Sequence, residues 1–462
     1  MVSISQGLWS LAATLFCLMW GASVLAFPAY KELLSGYIPV LVGVALGLIA
    51  RAPSVRGALT KWVMAPDETS FIVGTMIAGA LLRLLIVAVV PMEPTSDHLV
   101  FHYSAVSLAG GQGYGNTAFF PPGMALLLTP FYWLFGPSPI LGKLLNIGFG
   151  LATIPLVLDL GKRTISHAAG RWAALLAALF PTLVVYAASL GYEIALGFLL
   201  LAVCALNIRI VAGARSGPWL ALLIGALLGF GSLLKPICLL IPLILFFDWF
   251  LAGLRIAALR SAVLVVVAMA VVIAPWTLRN YRVLGSPVLV STNGGVVLYM
   301  ANNSNTDNLH MDVGPIPDGP AQVAFNEAYQ RRALDWIVAN PGQWARNAAT
   351  KLVYNWGTSS SIMSFISDDR MPPGLENAFK ASLNVGWTAL LVLVTFGVRR
   401  PRVLVNRDLW VPLLIVGYVV AIQLFFTAIS RHHIPIIGIL LLLAGAALAA
   451  DEEGGRAQAS VR

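Results

Sequence analysis

The sequence has few charged residues. Only 11% of its 462 residues are Asp, Glu, Lys or Arg, whereas 58% are hydrophobic. A soluble globular domain carries about 25% charged residues, so this chain lacks the polar surface that a water-soluble protein needs. Apolar runs of about 20 residues, the length of a helix that crosses the hydrocarbon core of a bilayer, recur along the chain. The runs are continuous rather than alternating, which predicts transmembrane helices rather than a barrel.

Cysteine is scarce as well. Cys17, Cys204 and Cys238 all lie inside apolar runs, which predicts small hydrophobic residues and no disulfide. The formal net charge of +9 would fit a nucleic-acid partner if the cations were clustered. They are instead dispersed between apolar segments, as is typical of the cytoplasmic loops of membrane proteins. We therefore expect the lipid bilayer as a partner and no nucleic acid.

The apolar runs predict about twelve transmembrane helices. They are 7–27, 36–51, 70–91, 140–160, 171–188, 194–212, 218–235, 237–251, 261–277, 381–398, 409–428 and 434–450. A basic loop follows every second span, and the positive-inside rule places these loops and both termini in the cytoplasm. The first run ends in a stretch, 22–26, that resembles a signal-peptidase site. It has no basic region before it, so we expect a retained span.

One apolar segment, 121–136, is not counted as a span. Its 16 residues include three prolines, so it is short for a bilayer and poorly suited to a straight helix. Counting it would also move the basic residues of 162–171 to the outside. We therefore predict a helix at the outer surface, within a first outer loop of 92–139.

The predicted topology divides the chain into five parts. They are two extra spans in 1–60, the second at 36–51; a membrane core at 61–277; a second outer loop at 278–380; C-terminal spans at 381–450; and a cytoplasmic tail at 451–462. The second outer loop is longer than a simple connection needs to be. Residues 323–356 within it have the apolar spacing of helices.

Several ionisable residues fall at the outer ends of the predicted spans. Such groups are costly near lipid and usually have a partner or a function. The set comprises the carboxylates Asp97 and Glu193 and the cations Lys143, Lys235, Arg279, Arg282 and Arg431. This combination is typical of a site that binds an anionic group beside a general base. The alternative for each residue is a headgroup contact or a structural ion pair.

His98 and His102 flank the same region. They are four residues apart on a predicted helix, so their side chains share one face next to Asp97. Two histidines without further ligands are weak support for a metal site. A divalent metal is conceivable, but we predict neither a metal site nor any required cofactor.

Eight short motifs occur one after another along the chain. They are Ser96–Tyr103 (SDHLVFHY), Gly110–Tyr114 (GGQGY), Phe120–Gly123 (FPPG), Tyr186–Glu193 (YAASLGYE), Gly229–Pro236 (GFGSLLKP), Trp276–Tyr281 (WTLRNY), Ser291–Gly295 (STNGG) and Ser430–Pro435 (SRHHIP). Over about residues 70–440, this order resembles the GT-C superfamily of glycosyltransferases. The similarity is to bacterial relatives of protein O-mannosyltransferases and of the lipid A aminoarabinose transferase.

The resemblance implies an all-α polytopic GT-C-like membrane protein with periplasmic juxtamembrane helices and a mixed outer loop domain. It implies a hexosyl or pentosyl transferase of the bacterial inner membrane. The donor would be a polyprenyl-phosphate-linked sugar. The sugar would pass, usually with inversion, to a hydroxyl of an envelope glycan, lipid or protein on the periplasmic face.

The resemblance also implies roles for individual residues. Asp97 matches the catalytic carboxylate, but many relatives have a second acid where this chain has His98, a function that Glu193 would supply. The preferred phosphate partners would be Lys235 and Arg279, with Arg431 next. The substrate contacts would come from His98, His102, Tyr103 and Asn293.

Two other classes of function remain open from the sequence. A transporter or flippase of lipid-linked sugars would place ionisable residues near the bilayer midplane between broken helices. A polymerase or ligase of surface polysaccharide would use a similar donor on a different fold. The clustering of charged residues at the outer boundary favours the transferase.

Overall fold

The computed structural model describes residues 37–90, 92–213, 217–304, 313–365, 373–427 and 429–449. The regular elements within these ranges are all helices. The predicted first span at 7–27, Cys17 and the predicted tail at 451–462 lie outside the described residues. Cys204 and Cys238 are buried free thiols.

The helices of the N-terminal half are α1 Tyr37–Arg51, α2 Pro53–Met64, α3 Glu68–Val89, α4 Ser96–Ala109, α5 Gly123–Phe135, α6 Pro139–Thr164, α7 His167–Leu179, α8 Pro181–Tyr186, α9 Glu193–Val211, α10 Gly217–Leu234 and α11 Ile241–Trp249. Those of the C-terminal half are α12 Arg255–Leu284, α13 Gly294–Met300, α14 Ala321–Ala339, α15 Pro341–Gly357, α16 Pro373–Val398, α17 Pro401–Leu404, α18 Trp410–Gln423 and α19 Ile437–Leu448. Short 3₁₀ turns at Pro236–Leu240, Ser361–Phe365, Arg407–Leu409 and Ser430–Ile436 join some of them.

Seven helices in the described ranges are long and apolar enough to cross a bilayer. They start at residues 68, 139, 193, 236, 256, 374 and 430. The pair α1 and α2, bent by 75°, counts as an eighth if it forms one broken span. Other predicted spans correspond to helices that are shorter or interrupted, such as α10 and α18.

The predicted span 171–188 is interrupted at Pro181. Phe180 is extended (φ −62°, ψ 118°), because a residue before proline avoids the helical region. The break leaves the last carbonyls of α7 without helical partners. Arg83 of α3, which is fully buried, donates to the carbonyls of Ala177 and Ala178 at 2.8 Å each. A cation from one helix thus stabilises the end of another.

The centre of the helix bundle is α19. All its residues are buried, as is typical of a helix that is apolar on every side. It packs against α6, α7 and α16. Glycines allow this close approach: a Cβ at Gly445 would clash with the carbonyl of Ala169, and one at Gly397 with the carbonyl of Leu443. Small residues at helix contacts are typical of membrane bundles.

Both loops that the topology predicts to be outer contain helices. The surface helix predicted within 121–136 is α5, and its last residues Trp133, Leu134 and Phe135 are exposed. The helical spacing predicted in 323–356 corresponds to α14 and α15, separated at Asn340. The described part of the second outer loop contains helices and irregular segments but no strand, so a mixed domain is not observed there.

The two outer loops are joined through one buried glutamine. Gln322 is 1% exposed, and its Oε1 accepts hydrogen bonds from the amide of Ala118 and the hydroxyl of Thr292 at 2.9 Å each. Its Nε2 donates to the hydroxyl of Thr117 at 2.9 Å. Because these partners lie in both loops, the loops pack against each other as one unit.

Candidate active site

Three chain segments that are distant in sequence meet at one group of charged side chains. Asp97 lies in the first turn of α4, directly after Ser96, which has φ of 51°. Glu193 is the first residue of α9. Arg431 lies in the 3₁₀ turn before α19. We call Asp97, Glu193 and Arg431 the acid–arginine cluster.

Arg431 connects the two carboxylates. Its Nη1 donates to Asp97 Oδ1 at 3.1 Å and its Nη2 lies 2.8 Å from Oδ2, a bidentate arrangement that arginine makes and lysine cannot. Its Nε lies 3.8 Å from Glu193 Oε1. The side chains are 14% exposed for Arg431, 8% for Asp97 and 3% for Glu193. The pairing is therefore only weakly screened by solvent.

The cluster keeps Asp97 ionised. Burial raises the pKa of Asp97, but the opposing effect of Arg431, with smaller effects of His98 and Lys235, outweighs it and the pKa lies below its ordinary value. Burial lowers the pKa of the neighbouring His98 to about 4, although Asp97 acts in the opposite direction. At neutral pH the pair is thus a carboxylate beside a neutral imidazole.

The turn before Glu193 is held by an asparagine. Asn146 of α6 donates from Nδ2 to the carbonyls of Ser189 and Gly191, at 2.9 Å each. A Cβ at Gly191 would clash with Glu193 Oε2 and would lie 3.1 Å from His98 Nε2. The glycine therefore allows the backbone to approach both side chains.

Glu193 also lines a small cavity. The cavity of about 20 Å³ has room for about one water. Its other walls are mostly apolar and include Gly150, Phe198, Leu201 and Gly438. Neither carboxylate oxygen of Glu193 accepts a hydrogen bond from the described residues. Both oxygens are buried, so the group that could bond to them is one that enters this cavity, such as a water.

Lys235 adds a second cation to the electrostatic environment of the cluster. Its Nζ donates to the hydroxyl of Tyr192 at 2.7 Å and lies 5.2 Å from the centre of that ring. Its charge also contributes to lowering the pKa of Asp97. Tyr192 precedes Glu193 directly, so the lysine packs against the same turn.

Arg279 makes different contacts. It donates to the carbonyls of Thr117, at 2.7 Å, and of Gly115 in the first outer loop. Its guanidinium lies over the rings of Trp276 and Tyr114, at 4.8 and 5.6 Å. Within the described residues its contacts do not include the acid–arginine cluster.

The remaining residues predicted to bind substrate also lie in the two outer loops. His102 Nδ1 is 2.8 Å from the hydroxyl of Tyr132, and the side chain of Tyr103 is 62% exposed. Asn293 precedes α13 and accepts a hydrogen bond from the hydroxyl of Ser291 at 2.9 Å. The histidine and the tyrosine occupy the same helix as Asp97.

The overall fold is similar to that of solved membrane enzymes. AglB from Archaeoglobus fulgidus, an oligosaccharyltransferase solved with an inhibitory peptide and a dolichol-phosphate, matches with a TM-score of 0.52 and 14% identity, over 84% of this chain and 50% of AglB. ArnT from Cupriavidus metallidurans, solved with undecaprenyl phosphate, matches with a TM-score of 0.42 and 15% identity, over 83% and 78% of the two chains. Both belong to the GT-C superfamily.

The chain therefore has a fold similar to that of AglB. It spans about half the length of AglB. No family model matches the sequence, and no curated protein matches it either. At 14% identity the similarity to AglB concerns the fold alone.

Phe365 is a site residue that the sequence did not indicate. Its ring stacks on His98 with centroids 4.1 Å apart, and the guanidinium of Arg431 lies 5.6 Å from it. Phe365 belongs to the second outer loop, and nothing in the local sequence distinguishes it from other loop aromatics. Tyr192 was also missed, although it lies in the motif that contains Glu193.

The described residues contain no group of three or more His, Cys, Asp or Glu side chains arranged to hold a metal ion. Asp97 and Glu193 instead share an arginine, and His98 stacks on an aromatic ring. The chemistry available from these residues is proton transfer by a carboxylate and binding of an anion by cations.

Proposed function

We propose that this protein is a glycosyltransferase that moves a sugar from a polyprenyl-phosphate-linked donor to an acceptor hydroxyl. The observation that carries the proposal is the buried acid–arginine cluster within a fold similar to that of AglB. The lipid phosphates named in the solved AglB and ArnT complexes support a donor of this class. The active site would face the periplasm of a bacterial inner membrane, as the positive-inside rule favours.

Asp97 is the general base of this proposal. An acceptor hydroxyl is a poor nucleophile until a base within hydrogen-bond reach takes its proton during attack. Because the pKa of Asp97 lies below its ordinary value, the carboxylate is deprotonated at neutral pH and can accept this proton. Glu193 is the second carboxylate, whose free oxygens would orient the acceptor or a water. Direct attack by the acceptor would invert the sugar.

Arg431 and Lys235 are the proposed phosphate partners. The leaving group is a lipid phosphate, whose negative charge grows as the glycosidic bond breaks. Cations fixed in a partly dry site stabilise that growing charge more than they stabilise the ground state. Arg431 can bind two phosphate oxygens at once. Arg279 would contribute from the first outer loop.

The wider organisation is part of the same proposal. Twelve spans with cytoplasmic termini would carry the two outer loops, and the lipid tail of the donor would enter sideways from the bilayer. His98, His102, Tyr103 and Asn293 would contact the sugar or the acceptor, which would be an envelope glycan, a lipid or a protein. No cofactor is proposed.

The test measures the release of polyprenyl phosphate. The purified protein, in lipid nanodiscs, is incubated with a panel of polyprenyl-phosphate sugars and candidate acceptors. Asp97→Asn is isosteric and should lower the rate by about 10²–10⁴-fold, the usual contribution of a general base. Asp159→Asn, at a solvent-exposed pair with Arg163, is the matched control and should keep full activity.

Two outcomes would contradict the proposal. Full activity of Asp97→Asn with the true donor would exclude Asp97 as the general base. Movement of the donor across the membrane without release of polyprenyl phosphate would favour the transporter instead.

A further inference from the structure

The end of α18 is held by side chains of the second outer loop. Lys351 of α15 donates from Nζ to the carbonyl of Leu424 at 3.2 Å and to Asn302 Oδ1 at 3.0 Å. Asn302 in turn donates to the carbonyl of Phe425 at 2.6 Å. Because α18 ends at Gln423, these two carbonyls lie just beyond the helix, where the helical hydrogen-bond pattern no longer supplies donors. The loop thus supplies the missing donors.

Two further contacts surround this point of attachment. Trp356 donates from Nε1 to Gln423 Oε1 at 3.0 Å. The rings of Trp344 and Phe425 lie 5.2 Å apart. Gln423, Leu424 and Phe425 are therefore each held by a residue of the second outer loop.

The same loop also holds the chain on the other side of Arg431. His433 Nδ1 lies 2.9 Å from the carbonyl of Asn355, and its Nε2 lies 3.1 Å from the hydroxyl of Ser359. The ring of His433 stacks on Trp387 with centroids 3.8 Å apart. Arg431 thus lies in the chain between two described points of attachment, 423–425 and His433, that both contact α15 and its neighbours.

Lys351 is an unusual residue for such a contact. It is 0% exposed, and within the described residues its hydrogen bonds go to an amide and a carbonyl rather than to a carboxylate. A buried ammonium is costly unless polar groups surround it. A cation at the C-terminal end of a helix is, however, favourably placed with respect to the helix dipole.

We propose that Lys351, together with Asn302, is a positioning residue for Arg431. These residues hold the end of α18, and His433 holds the 3₁₀ turn Ser430–Ile436, so that this turn presents the guanidinium to Asp97. The second outer loop and the anion site are therefore coupled, and a change in the loop alters binding of the lipid phosphate. This inference rests on the proposed function for the identity of the anion.

The first test measures binding of undecaprenyl phosphate to the full-length protein in nanodiscs. Lys351→Met should raise the Kd by about 2- to 30-fold, the range typical of mutations that act through a coupled element. Lys351→Arg keeps a cation that can donate to the carbonyl of Leu424 and to Asn302 Oδ1, and it should recover most of the affinity. If Lys351→Met fails to fold, Asn302→Ala removes the same link and carries the same expectation.

The matched control is Arg407→Met. Arg407 also donates to backbone carbonyls near a helix end, those of Asp248 and Leu251 at 2.5 and 3.0 Å, but in the predicted cytoplasmic loop. Its loss should lower the melting temperature without changing the Kd. Equal affinities of Lys351→Met and Arg407→Met would overturn the inference.

A second measurement does not depend on the proposed function. Lys351→Met and Arg431→Met should each lower the melting temperature, and the loss in the double variant should be smaller than the sum of the two single losses. The reason is that Lys351→Met already displaces the Arg431 side chain. Those of Arg407→Met and Arg431→Met should add. Absence of undecaprenyl phosphate binding by the wild type would count against the proposed function, whereas additivity for Lys351 and Arg431 would refute the positioning role.

Discussion

Replacing Arg431 by methionine is the most direct test of the acid–arginine cluster. The substitution keeps an unbranched side-chain stem but removes the guanidinium group and its charge. At 2.8 Å from Asp97, the attraction is about 6 kcal/mol at an effective dielectric constant of about 20. At 3.8 Å from Glu193, it is about 4 kcal/mol by the same relation.

These attractions do not appear as net stability, because burying three charges costs most of what they contribute. Removing the arginine alone is different, since it leaves two buried carboxylates without their shared partner. Breaking a buried pair in this way typically costs about 3–5 kcal/mol. We expect Arg431→Met to lower the free energy of unfolding by about that amount.

The reasoning predicts partial rescue by a second substitution. Asp97→Asn removes one of the two carboxylates that Arg431→Met leaves unpaired. The double variant should therefore be more stable than the sum of the single losses, with an interaction energy of about 0.5–3 kcal/mol. Thermal and denaturant unfolding of the four proteins in one detergent gives this value.

An exposed pair provides the control cycle. Arg163 Nε lies 2.8 Å from Asp159 Oδ1, but the two side chains are 51% and 37% exposed. The cycle of Arg163→Met and Asp159→Asn should give only about 0.3–0.5 kcal/mol. Similar interaction energies for the two cycles would refute the view that burial makes the Arg431 pairing strong.

Three further changes test other parts of the site. Gly191→Ala should lower kcat by about 10²-fold because a Cβ would displace Glu193. In the control Gly148→Ala, the added Cβ meets nothing within 4 Å, so kcat should not change. Equal values of kcat for the two variants would contradict the contact between Gly191 and Glu193. Burial lowers the pKa of His98 from 6.5 to about 4, so between these values the unfolded chain binds a proton that the folded chain does not, and stability falls as pH drops from 6.5 to 4. His98→Gln should lose less stability over that range in melting curves, and an identical loss would rule out the histidine as the cause. Gln322→Leu removes an acceptor shared by several donors and should lower the free energy of unfolding by about 1–3 kcal/mol per donor left unpaired. We expect faster proteolysis in the two outer loops of this variant, and a smaller effect in Gln322→Glu.

The general architecture was predictable from sequence because hydropathy is a local property. Continuous apolar runs indicated helices, and the described regular elements are helices. The short segment 121–136 was separated from the spans by its length and its prolines, and it forms the thirteen-residue helix α5. The interruption of 171–188 was harder to predict. Pro181 marks the point, but Arg83, which stabilises the broken end, comes from another helix about 95 residues earlier.

The contents of the candidate site were only partly predictable. The positive-inside rule assigned Asp97, Glu193, Lys235, Arg279 and Arg431 to one layer, because topology depends on charge distribution along the chain. Which cation meets which carboxylate depends on packing between segments 334 residues apart. The sequence favoured Arg279 over Arg431 as a phosphate partner, whereas among the described residues it is Arg431 that contacts Asp97 and Arg279 that donates to the carbonyl of Thr117.

By itself, then, the sequence determined a many-span helical protein, two long loops and a layer of ionisable residues, since each follows from composition summed over neighbouring positions. The tertiary structure decided that Arg431 bridges Asp97 and Glu193, that Arg279 donates to the first outer loop, and that Phe365 stacks on His98. Hydrogen bonds and ion pairs act over about 3 Å, and no local pattern in the chain specifies which distant side chains come within that distance.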